Sequence, residues 1–369
     1  MKFGDSRAYR SRGLRYRFNA LVGPNLLDDL GAELDALLAT TAPPTTARRP
    51  WLDEWVRAFT DFEPWAVVVR DDSDALAGLA LLARRRRAGH VEIVPMGYGP
   101  SDYVRLHARD DAATEALATA LVGALTAIRG PWRLVLSQVP ADDPVVMRVA
   151  NALPHAELRP GDPSPVLRFS KGDVLRGHLS KGFIREARRG REQLEEAGTP
   201  PELEFVRDST AIARLFPEIE EVRRRRDRAL RRAEEMDSPE WEQFRSRVLA
   251  RLAALGEVEL AVLRVGGTVA AYGIGLLDGS TYQKWEGRFD PAFAACGPGR
   301  LLTAAILEHL FEIGEFTVYD YMRGDEAHKL RASNDLIPAE QLIAWSSARF
   351  RALERRARSL RALVQRGAA

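Results

Sequence analysis

Residues 286–331 read EGRFDPAFAACGPGRLLTAAILEHLFEIGEFTVYDYMRGDEAHKLR, and their order of elements sets the architecture. An alternating run ends near Arg288, and Gly297-Pro298-Gly299 then punctuates a loop. A strongly apolar stretch follows from about Gly299 to Ile313, with the length of a helix. Thr317–Met322 alternates again as a strand, and a short helix begins near Asp325. In strand, glycine loop, helix and strand, the first helical N–H groups have no internal acceptor. Glycines let a ligand approach the backbone closely, so these amides, the helix dipole and Arg300 make a site for phosphate or pyrophosphate. The tripeptide matches neither the GxGxxG fingerprint nor the Walker loop, and by itself it also describes an ordinary loop with proline at a helix start.

Upstream, Val258–Val265, Thr268–Leu277 and Thr281–Arg288 read as a three-strand meander joined by Gly266-Gly267 and Asp278-Gly279, both tight-hairpin pairs. Before the meander come a strand at Glu202–Val206, a helix capped by Asp208 or Ser209, and a helix from Pro239 to about Leu255. A short strand near Gln341–Trp345 closes this half. The first half runs in the same order. It has a strand at Arg15–Val22, helices at Asn25–Leu38 and from Trp51, and strands at Trp65–Arg70, Ala75–Ala83 and His90–Pro95. A helix at Asp111–Ile128, a strand at Trp132–Gln138 and a helix near Asp143–Leu153 complete it. Corresponding elements are offset by roughly 185–195 residues, which is the signature of a duplication.

The spacing therefore predicts a mixed α/β (α+β) chain of two tandem domains, each a twisted mixed sheet flanked by helices. The expected boundaries are a first domain at 1–172, a linker helix at 173–198 with alternating charge and Gly198 as its stop, and a second domain at 199–346. A basic amphipathic helix at 347–369 follows, with Phe350, Leu353, Leu360 and Val364 on one face. That helix is expected to dock and expose its arginines.

Composition narrows the class. At 369 residues the chain has length for about two domains. With 46% hydrophobic and 29% charged residues it is neither disordered nor a fibre. It has no apolar run long enough to span a membrane and no apolar leader segment, so a cytoplasmic protein is expected. The single Cys296 forbids an internal disulfide, and six scattered histidines suggest no metal site. Net charge is only +2, too small to argue nucleic-acid binding. Lysine occurs only at 2, 171, 181, 284 and 329, so the 54 basic residues are overwhelmingly arginine, as a GC-rich bacterial coding bias produces. Arg223–Arg226 then reads as a solvated helical face, and Cys296 as packing.

The order of elements, with Tyr282, Gly287, Asp290, Gly297-Pro298-Gly299, Gly314, Tyr319-Asp320-Tyr321, Arg323-Gly324-Asp325-Glu326 and Lys329, resembles the GNAT acyltransferases. The resemblance is closer to the CelD/BioF2-like acetyltransferases, tandem-GNAT proteins related to the Fem aminoacyl-transferases. Ser180-Lys181-Gly182-Phe183 through Gln193-Leu194 resembles the basic helix ahead of the family's second domain. Trp51, Trp55, Gly78 and Asp102-Tyr103 resemble its degenerate first domain. The chain departs from the family at His328-Lys329, where Tyr-Lys is usual.

That resemblance implies that amides and charge at Gly297, Gly299, Arg300 and Leu301 hold a cofactor pyrophosphate, with Lys329 contacting a phosphate or carboxylate. The first copy opens its helix with Asp110-Asp111, which suits the dipole but repels phosphate, so only the second copy is expected to bind cofactor. Read at period two, Tyr282, Lys284 and Glu286 share one strand face. Glu286 is a candidate base, His328 a candidate acid toward the leaving thiolate, and Asp320 either an acid/base or a binder of backbone amides. Tyr282, Lys284, Tyr321 and Arg323 are candidate substrate contacts. The expectation is direct transfer of an acyl group, acetyl in the simplest case, from acetyl-CoA or another acyl-CoA. The acceptor would be a small-molecule amine or hydroxyl entering between the domains. A Fem-like use of aminoacyl-tRNA, with Arg185, Arg188, Arg189 and the tail arginines lining a groove, is the alternative and the only one involving nucleic acid. A non-catalytic ligand-binding module is a third. Acceptor, acyl chain and oligomeric state stay open.

Overall fold

A computed structural model describes residues 7–11, 14–230 and 238–367. The chain divides into one unit of residues 1–161 with 339–369 and a second of residues 162–338. The first contains β1 (Arg7–Ser11), β2 (Leu14–Val22), α1 (Leu26–Thr41), α2 (Arg49–Ala58), β3 (Glu63–Arg70), β4 (Leu76–Arg87), β5 (His90–Pro95) and β6 (His107–Ala108). It continues with α3 (Asp111–Thr126), β7 (Trp132–Pro140), α4 (Pro144–Ala152) and β8 (Ala156–Pro160). The second contains β9 (Ser164–Arg168), α5 (Lys181–Glu196), β10 (Glu202–Val206), α6 (Ser209–Ala229), α7 (Pro239–Ala254), β11 (Val258–Val265) and β12 (Thr268–Asp278). β13 (Thr281–Phe289), α8 (Pro298–Ile313), β14 (Val318–Asp320), α9 (Ala327–Leu330) and β15 (Asp335–Ile337) complete it. β16 (Ala339–Trp345) and α10 (Ala348–Gly367) return to the first unit.

The mixed α/β architecture is present twice. The first sheet runs β1-β2-β3-β4-β5-β7-β16-β8 with β6 on β4, and the second β10-β11-β12-β13-β14-β9-β15. In each, one neighbouring pair is parallel, β5 with β7 and β13 with β14, and the other pairs are antiparallel. Local chemistry accounts for the meander and helix starts. Gly266 and Gly267 take φ of 56° and 77°, as a tight hairpin needs. Asp208, Ser238 and Ser180 each accept the amide three residues on, opening α6, α7 and α5. Small residues set the closest approaches. A Cβ at Gly273 would lie 3.2 Å from Ile306 of α8, and one at Gly190 of α5 only 2.3 Å from the Cys296 carbonyl. Buried Leu302, Ile306 and Leu310 pack α8 against Leu263 and Ala271, as Ala113, Leu117 and Leu121 pack α3 against Val67 and Val69.

The division of the chain differs from the expected one. β16, the last strand of the second half, lies between β7 and β8 of the first sheet, and β9, the last of the first half, between β14 and β15 of the second. The boundaries therefore fall at 161/162 and 338/339 rather than 172 and 346. Residues 173–198 are not a linker: Phe183, Ala187 and Leu194 bury α5 in the core beneath α8. Arg223–Arg226 is not a solvated face either. Arg223 is 1% exposed between Glu220 and Asp227, Arg225 pairs with Asp290, and Arg226 lies over the Phe289 ring. The tail helix does dock, through Glu354 to Arg133 and the Trp345 indole, and Phe350 on His90. The side chains of Leu360 and Val364 lie outside the described residues. No helix among the described residues is long and apolar enough to cross a membrane.

Candidate active site

β13 pairs with β14 only at Thr281, Tyr282 and Gln283, so from Lys284 to Phe289 this edge has no strand partner among the described residues. β14 ends at Asp320, whose Oδ1 accepts the Met322 amide at 2.8 Å while Met322 adopts φ of 59°. A non-glycine residue held there is strained, and such strain gathers where a chain must turn sharply at a site. The two parallel strands thus part at their carboxyl ends, the usual place for a ligand in an open sheet. Asp320 fills the amide-binding role of its two expected alternatives.

The register of β12 and β13 shifts at this point. Ile274 faces Glu286 and Gly275 faces Lys284, leaving Trp285 as an extra, bulged residue. The bulge reverses the alternation, so the expected common face of Tyr282, Lys284 and Glu286 does not form. Tyr282 and Lys284 point to the α8 face, where Lys284 Nζ meets Thr303 Oγ1 at 3.0 Å. Glu286 points to the α6–α7 face, where its Oε1 meets Arg245 Nη2 at 2.9 Å and accepts from the Tyr272 hydroxyl.

At α8, Gly297 takes φ of 62° and offers no side-chain cap. Pro298 has no N–H, and the amides of Arg300 and Leu301 both reach the Gly297 carbonyl, at 3.0 and 3.2 Å. Gly299 is left with the free first-turn amide. Arg300 is exposed and pairs with Glu186 of α5 at 3.2 Å, whereas Leu301 is buried under α5. The counterpart α3 is closed by its own Asp110, which accepts the Ala113 amide at 2.8 Å.

Beside the open edge stand Lys284, His328 and Lys329. Burial, then the charges of Lys329 and Arg288, holds the Lys284 ammonium down to about 8. Burial and the Lys284 charge push the His328 imidazole below its ordinary value, which favours its neutral form. Lys329 is already satisfied by the Arg323 carbonyl at 2.5 Å and Glu326 at 3.0 Å, and Arg323 is exposed.

Two expected contacts, Tyr282 and Tyr321, and the candidate base Glu286 lie within buried surroundings. Tyr282 is fully buried against Tyr319 and Phe316, and Tyr321 donates to the Ala332 carbonyl within the core. Glu286 is 7% exposed in a network of Glu220, Arg223, Asp227, Arg245, Tyr272 and Arg288. Burial alone would raise its pKa, but Arg245 and Arg288 with the Tyr272 hydroxyl hold it below the usual carboxylate range. A carboxylate so stabilised is a poor base. Cys296 Sγ donates to the Phe293 carbonyl, and burial pushes its thiol up, as packing requires. Sequence reading missed Arg245 and Thr303. Arg245 sits on the buried stripe of Val248, Leu249 and Leu252, and that polar break in an apolar stripe was its one signal.

The acetyltransferase (GNAT) domain family matches residues 181–330. No curated protein matches the sequence. Among solved structures, FemX is similar at 11% identity and TM-score 0.57, over 84% of this chain and 95% of that one. A tandem GNAT protein from the clavulanic acid biosynthesis pathway is similar at 14% identity and TM-score 0.50, over 89% and 99%. A conserved protein of unknown function from Bacteroides thetaiotaomicron is similar at 11% and 0.54, over 85% and 96%. These are likenesses of fold, and they extend over both units. Residues 181–330 thus match the acetyltransferase (GNAT) domain family, and the fold of the chain is like that of tandem GNAT and Fem proteins.

Proposed function

We propose that the second unit transfers an acyl group, acetyl in the simplest case, from a CoA thioester to an amine or hydroxyl of a small molecule. One observation carries this reading: the uncapped start of α8 at Gly297–Gly299 lies beside the unpaired edge of β13, whereas α3 is stoppered by a carboxylate. The residues fit a pyrophosphate. The free Gly299 amide, the dipole of a 16-residue helix and Arg300 converge there, and a Cβ at Gly299 would reach no closer than 3.4 Å to Phe289. When bound, the cofactor supplies an activated acyl thioester. The bulge at Lys284-Trp285 leaves strand backbone without a partner, which would be available to a thioester carbonyl. Neutral His328 would accept the proton of the attacking amine, and Lys284, titrating near 8, would match a thiol and supply the proton to the leaving sulfur. Asp320 positions the turn at Met322, and the Glu286 network fixes the far side of the bulge.

One observation favours aminoacyl-tRNA as donor. Lys181, Arg185 and Arg189 stand at i, i+4 and i+8 on the exposed face of α5 with no ion-pair partner among the described residues, and α5 reaches the start of α8. The same experiment separates the two readings: melting of the purified chain with CoA, acetyl-CoA, longer acyl-CoAs and a non-hydrolysable aminoacylated RNA end, repeated on Gly299→Glu. A rise with CoA ligands that the variant loses supports the CoA reading. A rise with the RNA end alone moves the donor to aminoacyl-tRNA, and no rise with either removes both.

A further inference from the structure

The first unit has a cavity of 1120 Å³ on the α3 face of its sheet, lined by none of the catalytic candidates. Its walls include Ala20 of β2, Trp65 and Val67 of β3, and Gly123 and Ala124 near the end of α3. Small side chains make it. At the matching end of the second sheet, Phe205 of β10 stacks on His309 of α8 with centroids 4.0 Å apart, and Tyr282 packs between Phe316 and Tyr319. In the first unit, Ala20 faces Val67 where Phe205 faces Ala261 in the second. A Cβ at Gly123 would meet nothing closer than Phe18 at 4.0 Å. The duplicate fills with rings the place that this unit leaves open, and Val22 on its edge stays 38% exposed.

The charges around the cavity are unevenly committed. Glu63 pairs with Arg84 at 2.7 Å, and Asp61 with Arg85 at 3.3 Å. Arg86 and Arg129 are exposed and have no ion-pair partner among the described residues. Both stand at one end. Arg86 faces Val91 across β4 and β5, and the Val91 amide bonds the carbonyl of Pro131, two residues beyond Arg129.

We propose that this cavity binds a fatty acid or similar single apolar chain with an anionic head, the chain over Ala20, Val67 and Ala124 and the head at Arg86 and Arg129. Its volume lies just above the range of about 300–1,000 Å³ typical of ligand pockets, which leaves room for a long chain. Covering its apolar walls supplies the driving force. Two uncommitted guanidiniums at one end give the head its sign and place. The concave shape, walled by strands and a helix, suits one chain rather than the plane of a bilayer.

The test is calorimetric titration of the full chain with monomeric dodecanoate and with dodecyltrimethylammonium. The wild type is expected to bind one dodecanoate saturably, at least about tenfold more tightly than the cationic analogue. Arg86→Glu with Arg129→Glu, at exposed positions, is expected to erase that preference. Ala124→Trp, which fills the cavity, is expected to abolish binding of either probe. No saturable binding, equal affinity for both heads, or an unchanged preference in the arginine variant would overturn the proposal. So would binding to phosphatidylglycerol vesicles without dodecanoate binding. A concentration-dependent dimer lost in Ala124→Trp, with no dodecanoate bound, would assign the cavity to a second copy of the chain instead.

Discussion

An ammonium half-removed from water with no carboxylate beside it holds its proton loosely, and Lys284 does so near pH 8. Its folded pKa lies below the ordinary 10.5, so between about pH 8 and 10.5 the unfolded chain binds more protons and stability rises with pH. Lys284→Met is expected to remove that rise and to stabilise the protein by about 2 kcal/mol at pH 7, after discounting for partial exposure. Urea melts at pH 7 and 10 check both, and a variant with the wild-type slope would contradict the assignment. The same substitution removes a cation beside His328. The acid limb of kcat/KM, lying below pH 6.5 in the wild type, should therefore move up toward 6.5 in any residual activity. Across the sheet, Arg245 compensates Glu286 and Glu220, all three nearly inaccessible. Arg245→Met strands two buried carboxylates and is expected to cost about 3–5 kcal/mol, whereas Glu286→Gln keeps an acceptor for Tyr272 and should cost about 1–3. Denaturant titrations that reversed this order would refute the network. Lys284 was legible as a rare lysine on a meander strand. Arg245 was not, because an arginine within a helical pattern is ordinarily assigned to solvent.

Elements whose signals are local matched their expected positions. The tight turns, the Asp208 cap and the Gly198 stop were readable, since each depends on residues within a few positions. The bulge at Trp285 was not. One extra residue against β12 inverts every side chain beyond it, and nothing in the alternation of Tyr282, Lys284 and Glu286 announces the slip. The two helix starts differ in a way the sequence did reveal, carboxylate at α3 and glycine at α8. Asp110→Ala is expected to cost about 1 kcal/mol by removing the cap, with no change in donor binding. Gly297→Ala, forced into φ of 62°, is expected to cost about 1–2 kcal/mol and also to weaken the ligand-induced rise in melting temperature. If both variants, or neither, lost the ligand response, α8 would not be the donor site.

At the scale of the molecule, the duplication was legible and the path of the chain was not. Periodicity reports that a segment is a strand, but strand neighbours about 150 residues apart or more are set by tertiary packing. β16 pairs with β7 at Leu342–Leu136 and Ala344–Leu134, and β9 with β14 at Leu167–Tyr319. Each exchanged strand is central, with neighbours on both sides, so its removal opens two edges at once. The second sheet is complete within residues 162–338, and that fragment is expected to fold and melt cooperatively alone. A fragment of 173–346 lacks β9, which separates β14 from β15, and carries β16 with no sheet to join. It is expected to melt without a cooperative transition. Residues 1–161 lack the strand between β7 and β8 and should fold only when 339–369 are supplied. Circular dichroism melts of the three fragments decide the matter. Cooperative folding of 173–346 equal to that of 162–338 would show that the exchanged strands add little, and that each half folds on its own strands.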